Sequence, residues 1–176
     1  MLRVTADNIH QTRTLRPLYA YTQATPQAAT LNPEWDFKAD ILPGMVMTRI
    51  NGQEAHLFGS GADAATHEVW GLAGLFAAPS LGIDEVRPTG NHHFAVWVGD
   101  NQSQFEVLAP AFDTTATWNA TADGSKTPLR VTTEGHPQGP GKLTTAEAGA
   151  NVSEKVAAHL IDVVGTNKII VSLEQA

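Results

Sequence analysis

His92 and His93 stand side by side in "GNHHFAVWV", residues 90–98, and adjacent imidazoles raise the prospect of a metal or acid–base site. A strand over residues 92–98 would turn His92, Phe94, Val96 and Val98 to one face and His93, Ala95 and Trp97 to the other. Side chains on opposite faces do not bind one ion, so each histidine would need partners from elsewhere. The other imidazoles, His10, His56, His67, His136 and His159, show no ligand spacing, and His67-Glu68 lacks a second histidine four residues on. Cysteine is absent, which removes thiolate ligands, thiol nucleophiles and disulfides together. The expectation is no metal and no cofactor, with the pair at a strand entrance and His93 joining Trp70 and Trp97 at a subunit contact.

Other signatures fail on inspection. "GHPQGPGKL", residues 135–143, resembles a phosphate loop, but His136 stands where its first glycine belongs and Leu143 where Ser or Thr should follow the lysine. Pro137 and Pro140 also remove N–H donors that such a loop needs. There is no G-x-S-x-G elbow. Asp84-Glu85 beside Arg87-Pro88 reads as a solvated turn, and spacing does not set Asp113 across a cleft from a second carboxylate. Trp70, Trp97 and Trp118 could stack on a sugar, although tryptophans in a small β domain more often serve core or interface. The chain is not expected to be an enzyme.

The elements that would hold these residues follow from composition and punctuation. At 176 residues, 42% hydrophobic, the chain is long enough for one domain with a real core. Charged residues are only 16% and the formal net charge is −7. Residues 1–33 carry Arg3, Arg13 and Arg16 against Asp7 alone, so the acidity lies in the body. An acidic body argues against nucleic-acid binding, and no apolar run is long enough for a membrane span or a signal peptide. Two glycosylation-like triplets, at Asn119 and Asn151, carry no meaning without secretion.

Residues 1–40 show neither helical nor strand periodicity and scatter Tyr19, Tyr21, Trp35 and Phe37 among Ala, Thr and Pro. They read as an extended N-terminal arm, with a strap packed on its own domain as the other reading, ahead of a body over 41–176. In the body, Asn51-Gly52 in "GMVMTRINGQEAHLFG" marks a hairpin, Met45, Met47 and Arg49 lining one face and Val46, Thr48 and Ile50 the other. Glycines 59, 61, 71, 74 and 82 disfavour a long helix across the next stretch, where Trp70, Leu72, Leu75 and Phe76 are core candidates. "HFAVWV" and "SQFEVLAP" read as paired strands across "GDNQ", "TTATWNATA" and "PLRVTT" as a second pair, and "AAHLIDVV" and "KIIVSL" as a closing hairpin. A helix over 153–163 is the rival there, disfavoured by β-branched residues at its end. About eight short strands with regular turns predict a mostly β fold, a single small antiparallel sandwich or barrel-like domain.

Four stretches carry a resemblance: "ILPGMVMTRINGQEAHLFG", "WGLAGLFAAPSLGIDEV", "FAVWVGDNQSQFEVLAPAFD" and "VAAHLIDVVGTNKIIVSL", together spanning roughly residues 41–173. They resemble head decoration, or cement, proteins of tailed bacteriophages, including an opening Pro-Gly-x-Val strand at Pro43, Gly44 and Val46. The resemblance implies a small β-rich knob, usually a homotrimer, on the outer surface of the capsid, made in the host cytoplasm and bracing the head against DNA pressure. It implies an N-terminal arm gripping the major capsid protein, with Arg3, Arg13 and Arg16 on carboxylates and Tyr19, Tyr21 and Trp35 in pockets. The alternative is a β-sandwich binding module, a head fibre or appendage, that recognises a glycan or host surface.

Overall fold

The computed structural model describes residues 14–18, 25–31, 40–61, 63–74, 93–99, 103–121 and 125–173. Eleven strands among them form two units: β1 Leu15–Pro17, β2 Thr25–Leu31, β3 Val46–Arg49, β4 Glu54–Leu57, β5 Val69–Ala73, β6 His93–Val98, β7 Gln104–Leu108, β8 Thr127–Thr132, β9 Leu143–Thr144, β10 Val152–Val163 and β11 Lys168–Leu173. One unit is a closed barrel in the order β2-β4-β3-β5-β6; the other is a six-stranded sheet, β1-β7-β11-β10-β8-β9. The fold is mostly β and barrel-like, as its sequence suggests. Nearly every pair is antiparallel, the exception being β2 with β4, where Thr30 meets Glu54 and Leu31 meets Ala55.

The local signals act as chemistry predicts. β3 and β4 pair antiparallel from Met47–Leu57 to Arg49–Ala55, and Gly52 takes φ +52 in the turn between them. The turn closes one residue beyond the Asn-Gly pair, because the Glu54 amide donates to Asn51 O at 2.7 Å. The two faces of β3 do not differ in exposure: Val46, Met47 and Thr48 are all buried, since a closed barrel wall backed by other elements has no wet side here. β7 alternates, sending Phe105 and Val107 into the core. β10 and β11 form the closing hairpin, with Gly165 at φ +66 in its turn, and β10 is also held by β8. Two-sided pairing settles strand over helix.

Three expectations change. β6 and β7 are not partners: β6 pairs with β2 and β5 in the barrel, and β7 with β1 and β11 in the sheet. The chain crosses between units there, and each strand finds its second neighbour in the leading forty residues. Residues 114–121 form no strand; the Thr115 amide and hydroxyl both donate to Asp113 Oδ1, a local bond that competes with strand pairing. Within residues 1–40, β1 and β2 belong to the globule, and Ala29 and Leu31 are buried in its core. Burying a leucine contributes about 2 kcal/mol, so β2 is a wall of the barrel, nearer to a strap packed on its own domain than to a free arm. Leu75, Phe76 and the "GIDEV" stretch lie outside the described residues.

One continuous core joins barrel and sheet, running from Leu31, Met47 and Phe58 to Phe105, Val131 and Val171. Backbone meets backbone at their junction. The Glu134 amide donates to Gly59 O at 2.7 Å and the Val46 amide to Gly141 O at 2.7 Å. Gly59 has φ +74, and a Cβ there would lie 2.8 Å from Thr132 O. Gly59→Ala should therefore combine a left-handed penalty of roughly 1–2 kcal/mol with a clash against main chain that cannot yield. Gly139, at φ +82 with open space around it, is the control. Chemical denaturation should show Gly139→Ala losing about 1 kcal/mol and Gly59→Ala at least twice that; equal losses would mean the junction is loose.

Candidate functional site

Among the described residues, those nominated from sequence are not gathered in one place. Arg3, Arg13, Tyr19, Tyr21, Trp35 and His92 lie outside the described residues. Arg16 is exposed on β1, opposite Glu106, at the edge of the six-stranded sheet. His93 opens β6 with its backbone paired to Thr30. Trp70 owes its position to a bulge: Met47 pairs with Gly71 and Thr48 with Val69, leaving Trp70 the extra residue. Its half-buried ring carries the Arg49 guanidinium at 4.5 Å, a cation–π contact beside Ile50, which is 38% exposed. Trp97 turns the other way and packs edge-on against Phe105 of the sheet, centroids 5.8 Å apart. Trp118 is committed too, donating its indole N–H to Asp113 O at 2.7 Å and meeting Phe112 edge-on at 5.1 Å. Trp97 and Trp118 are thus joints within the molecule.

Asp113, easily passed over in the sequence, is a buried hub, 1% exposed. Its Oδ1 accepts from the Thr115 amide (2.9 Å) and hydroxyl (2.6 Å), and its Oδ2 accepts from the Thr144 hydroxyl at 2.9 Å, with His136 Nε2 at 3.6 Å. Burial alone pushes this carboxyl up. The Thr115 hydroxyl and amide, the Thr144 hydroxyl and nearby His136 outweigh it and hold the group below its ordinary value. A charge so placed ties residues 113–118 to β9 and to the loop before it. It binds the fold's own parts and faces no cleft.

The glycine-rich loop is likewise spent on itself. Thr132 Oγ1 donates to Gly139 O and accepts from the Lys142 amide, while the Gly141 amide donates to Thr132 O. The Gly139 amide goes to His136 O and the Gln138 amide to His136 Nδ1. No N–H among these is left to cradle an anion. Beside the loop lies a cavity of about 360 Å³ lined by Asp40, Leu42, Met45 and Lys142. Burial pushes the Lys142 ammonium below its ordinary value, with Asp113 acting against that.

A larger groove of about 520 Å³ runs along the junction between the units, walled by small residues including Gly59, Gly61, Ala64 and Ala150 and by Glu134 and Lys155. Lys155 Nζ reaches Glu68 at 2.5 Å, and the Gly61 amide donates to Glu134 Oε2. At its corner His67, 5% exposed, accepts the Gly59 amide on Nδ1 at 3.1 Å, with His56 5.6 Å away ring to ring. Sequence spacing gives no hint of this pair, because a turn rather than a shared strand face brings residues 56 and 67 together. Among the described residues, no group of three or more His, Asp or Glu is disposed to hold a metal ion.

Asp113→Ala removes a charged acceptor from three donors, and the protein should lose about 3 kcal/mol on denaturation. Asp113→Asn should lose less and change the pH response. Because the folded carboxyl titrates below its ordinary value, its stabilisation is complete above about pH 4 and disappears as pH falls through the lowered value. The asparagine variant should flatten the acid limb of a stability–pH curve. An unchanged limb would remove Asp113 from the hub.

These arrangements hold strands and loops together. No curated protein matches the chain, and no solved structure matches it. A family model described as phage cement protein matches residues 1–176, the whole of the sequence given. Such proteins are structural parts of the virion that stabilise the capsid, and this chain belongs to the phage cement protein family.

Proposed function

We propose that this cement protein decorates the outer surface of the phage head by gripping the major capsid protein with its N-terminal residues, as a trimer whose knobs bridge neighbouring capsid subunits. The observation that carries the reading, beyond family membership, is the root of that segment. Thr14 is 1% exposed, its hydroxyl donates to Pro43 O at 2.5 Å and its carbonyl accepts from the Leu108 amide at 2.8 Å. A tether transmits load only if it leaves a fixed point, and residues 1–13 leave from this one.

Charge supports the same reading. Arg3 and Arg13 precede the root and Arg16 is exposed just after it, on a chain whose formal net charge is −7. Guanidinium groups suit carboxylate partners on a capsid, where they fork onto both oxygens. Tyr19, Tyr21 and Trp35 belong to the stretches that flank β2, and as anchors they would fill apolar pockets on the partner. Three such grips on one trimer multiply weak contacts through effective concentration.

The test follows from the strand assignment. A cut after residue 33 would delete β1 and β2 and damage the barrel, so the informative truncation starts the chain at Thr14. That variant should keep the circular dichroism and melting temperature of the full chain and fail to sediment with expanded heads. Arg3→Glu with Arg13→Glu should weaken decoration about tenfold or more at low salt and less at high salt. Full occupancy by the truncated chain would end the proposal, and a monomeric mass on the capsid would end its trimer part.

A further inference from the structure

The corner between β4 and the short 3-10 turn at Ala64–Thr66 contains chemistry that capsid attachment does not use. Gly59 is one of the residues at which the barrel touches the sheet, its carbonyl accepting from Glu134 and the space where a Cβ would stand closed off by Thr132 and Thr133. Its amide has one acceptor, His67 Nδ1, at 3.1 Å. An imidazole that accepts on Nδ1 carries its proton on Nε2 and is neutral. Next to it, Ser60 Oγ donates to Leu57 O and lies 3.1 Å from His56 Nε2, which makes His56 the donor in that contact. The two rings meet edge-on at 5.6 Å, with Phe58 edge-on to His67 on another side.

We propose that His67 and His56 form an acid-sensitive latch at the Gly59 corner, closing the barrel against the six-stranded sheet while His67 is neutral and releasing it when His67 takes up a proton. Protonation at Nδ1 converts the acceptor into a donor aimed at another donor, so the Gly59 amide loses its partner inside a buried site. The charge would also arise beside a second imidazole in a place nearly closed to water.

Charged groups surround His67 on the turn, on β3 and on the sheet. Asp63 and Glu68 flank the turn itself, and of these Asp63 favours the protonated ring. Arg49 approaches from β3 across a cavity of about 290 Å³, with its guanidinium drawn onto Trp70. From the sheet, Glu134 is engaged by the Gly61 amide and Lys155 by Glu68. Burial lowers the His67 imidazole most, His56 lowers it further, and Asp63 offsets only part. With the closed form titrating below an ordinary imidazole and the open form near 6.5, closure is complete above about pH 6.5 and weakens as pH falls toward the lowered value.

Amide hydrogen exchange on the isolated full-length chain tests this independently of any capsid. The opening constant at Gly59 and Glu134, corrected for intrinsic exchange, should rise below pH 6.5 with a slope approaching tenfold per pH unit, the limit for one proton. Amides of the distant sheet interior, such as Val107, should not follow. His67→Gln offers an oxygen acceptor that does not titrate, so its corner should show a flat profile from pH 7.5 to 5. Should that variant fail to fold, His56→Gln removes the neighbouring ring and should move the release, and the His67 resonance midpoint, to higher pH. Constant protection of Gly59 across this range in the native chain would overturn the latch. So would a glutamine variant with the native slope, or a His56→Gln variant whose midpoint stays put.

Discussion

The fold depends on main chain touching main chain where the barrel meets the sheet. Gly59 and Gly141 each present a carbonyl across that junction, to Glu134 and Val46, at distances that leave no room for larger residues. A Cβ at Gly141 would stand 2.3 Å from Leu57 Cδ1. The two contacts also place Thr132 so that its hydroxyl can organise residues 139–142. Close approach of this kind converts two sheets into one body, because buried amides and carbonyls must be paired and here each unit supplies partners for the other.

The phage cement family, to which this chain belongs, is one of capsid-stabilising proteins. In this chain polar groups are turned inward as fastenings: Asp113 holds a loop to β9, and Trp118 is pinned by its indole N–H. The barrel closes on itself and so offers no free strand edge. The six-stranded sheet ends in β1, three residues with Pro17 among them, and β9, two residues long. Short edges and a proline without an N–H discourage unwanted strand addition.

Much of this was legible in the amino-acid order. Alternation in "SQFEVLAP" marks β7, and Asn51-Gly52 places the β3–β4 turn to within a residue. The bounds of β6, His93–Val98, were likewise readable from the alternation in "HFAVWV". Pairing was not. "HFAVWV" and "SQFEVLAP" look like a hairpin because only a few polar residues separate them. Their true neighbours, β2 and β1, come from a segment with no periodicity of its own, whose strands are set by the edges they cover rather than by local propensity. The Asp113 hub was equally hidden, since its partners Thr144 and His136 are distant in sequence.

By itself, then, the sequence determined a mostly β fold, several of its body strands, the β3–β4 and β10–β11 turns, the acidic body with its basic lead, and a family resemblance. These are local or summed properties that each stretch carries wherever it lies. The tertiary structure alone decided which strands share a sheet, which glycines must stay bare, and which histidines meet. Those outcomes hang on through-space distances of about 3 Å between residues far apart along the chain, as between Asp113 and Thr144 or the Gly59 carbonyl and the Glu134 amide, and no short window of residues encodes such distances.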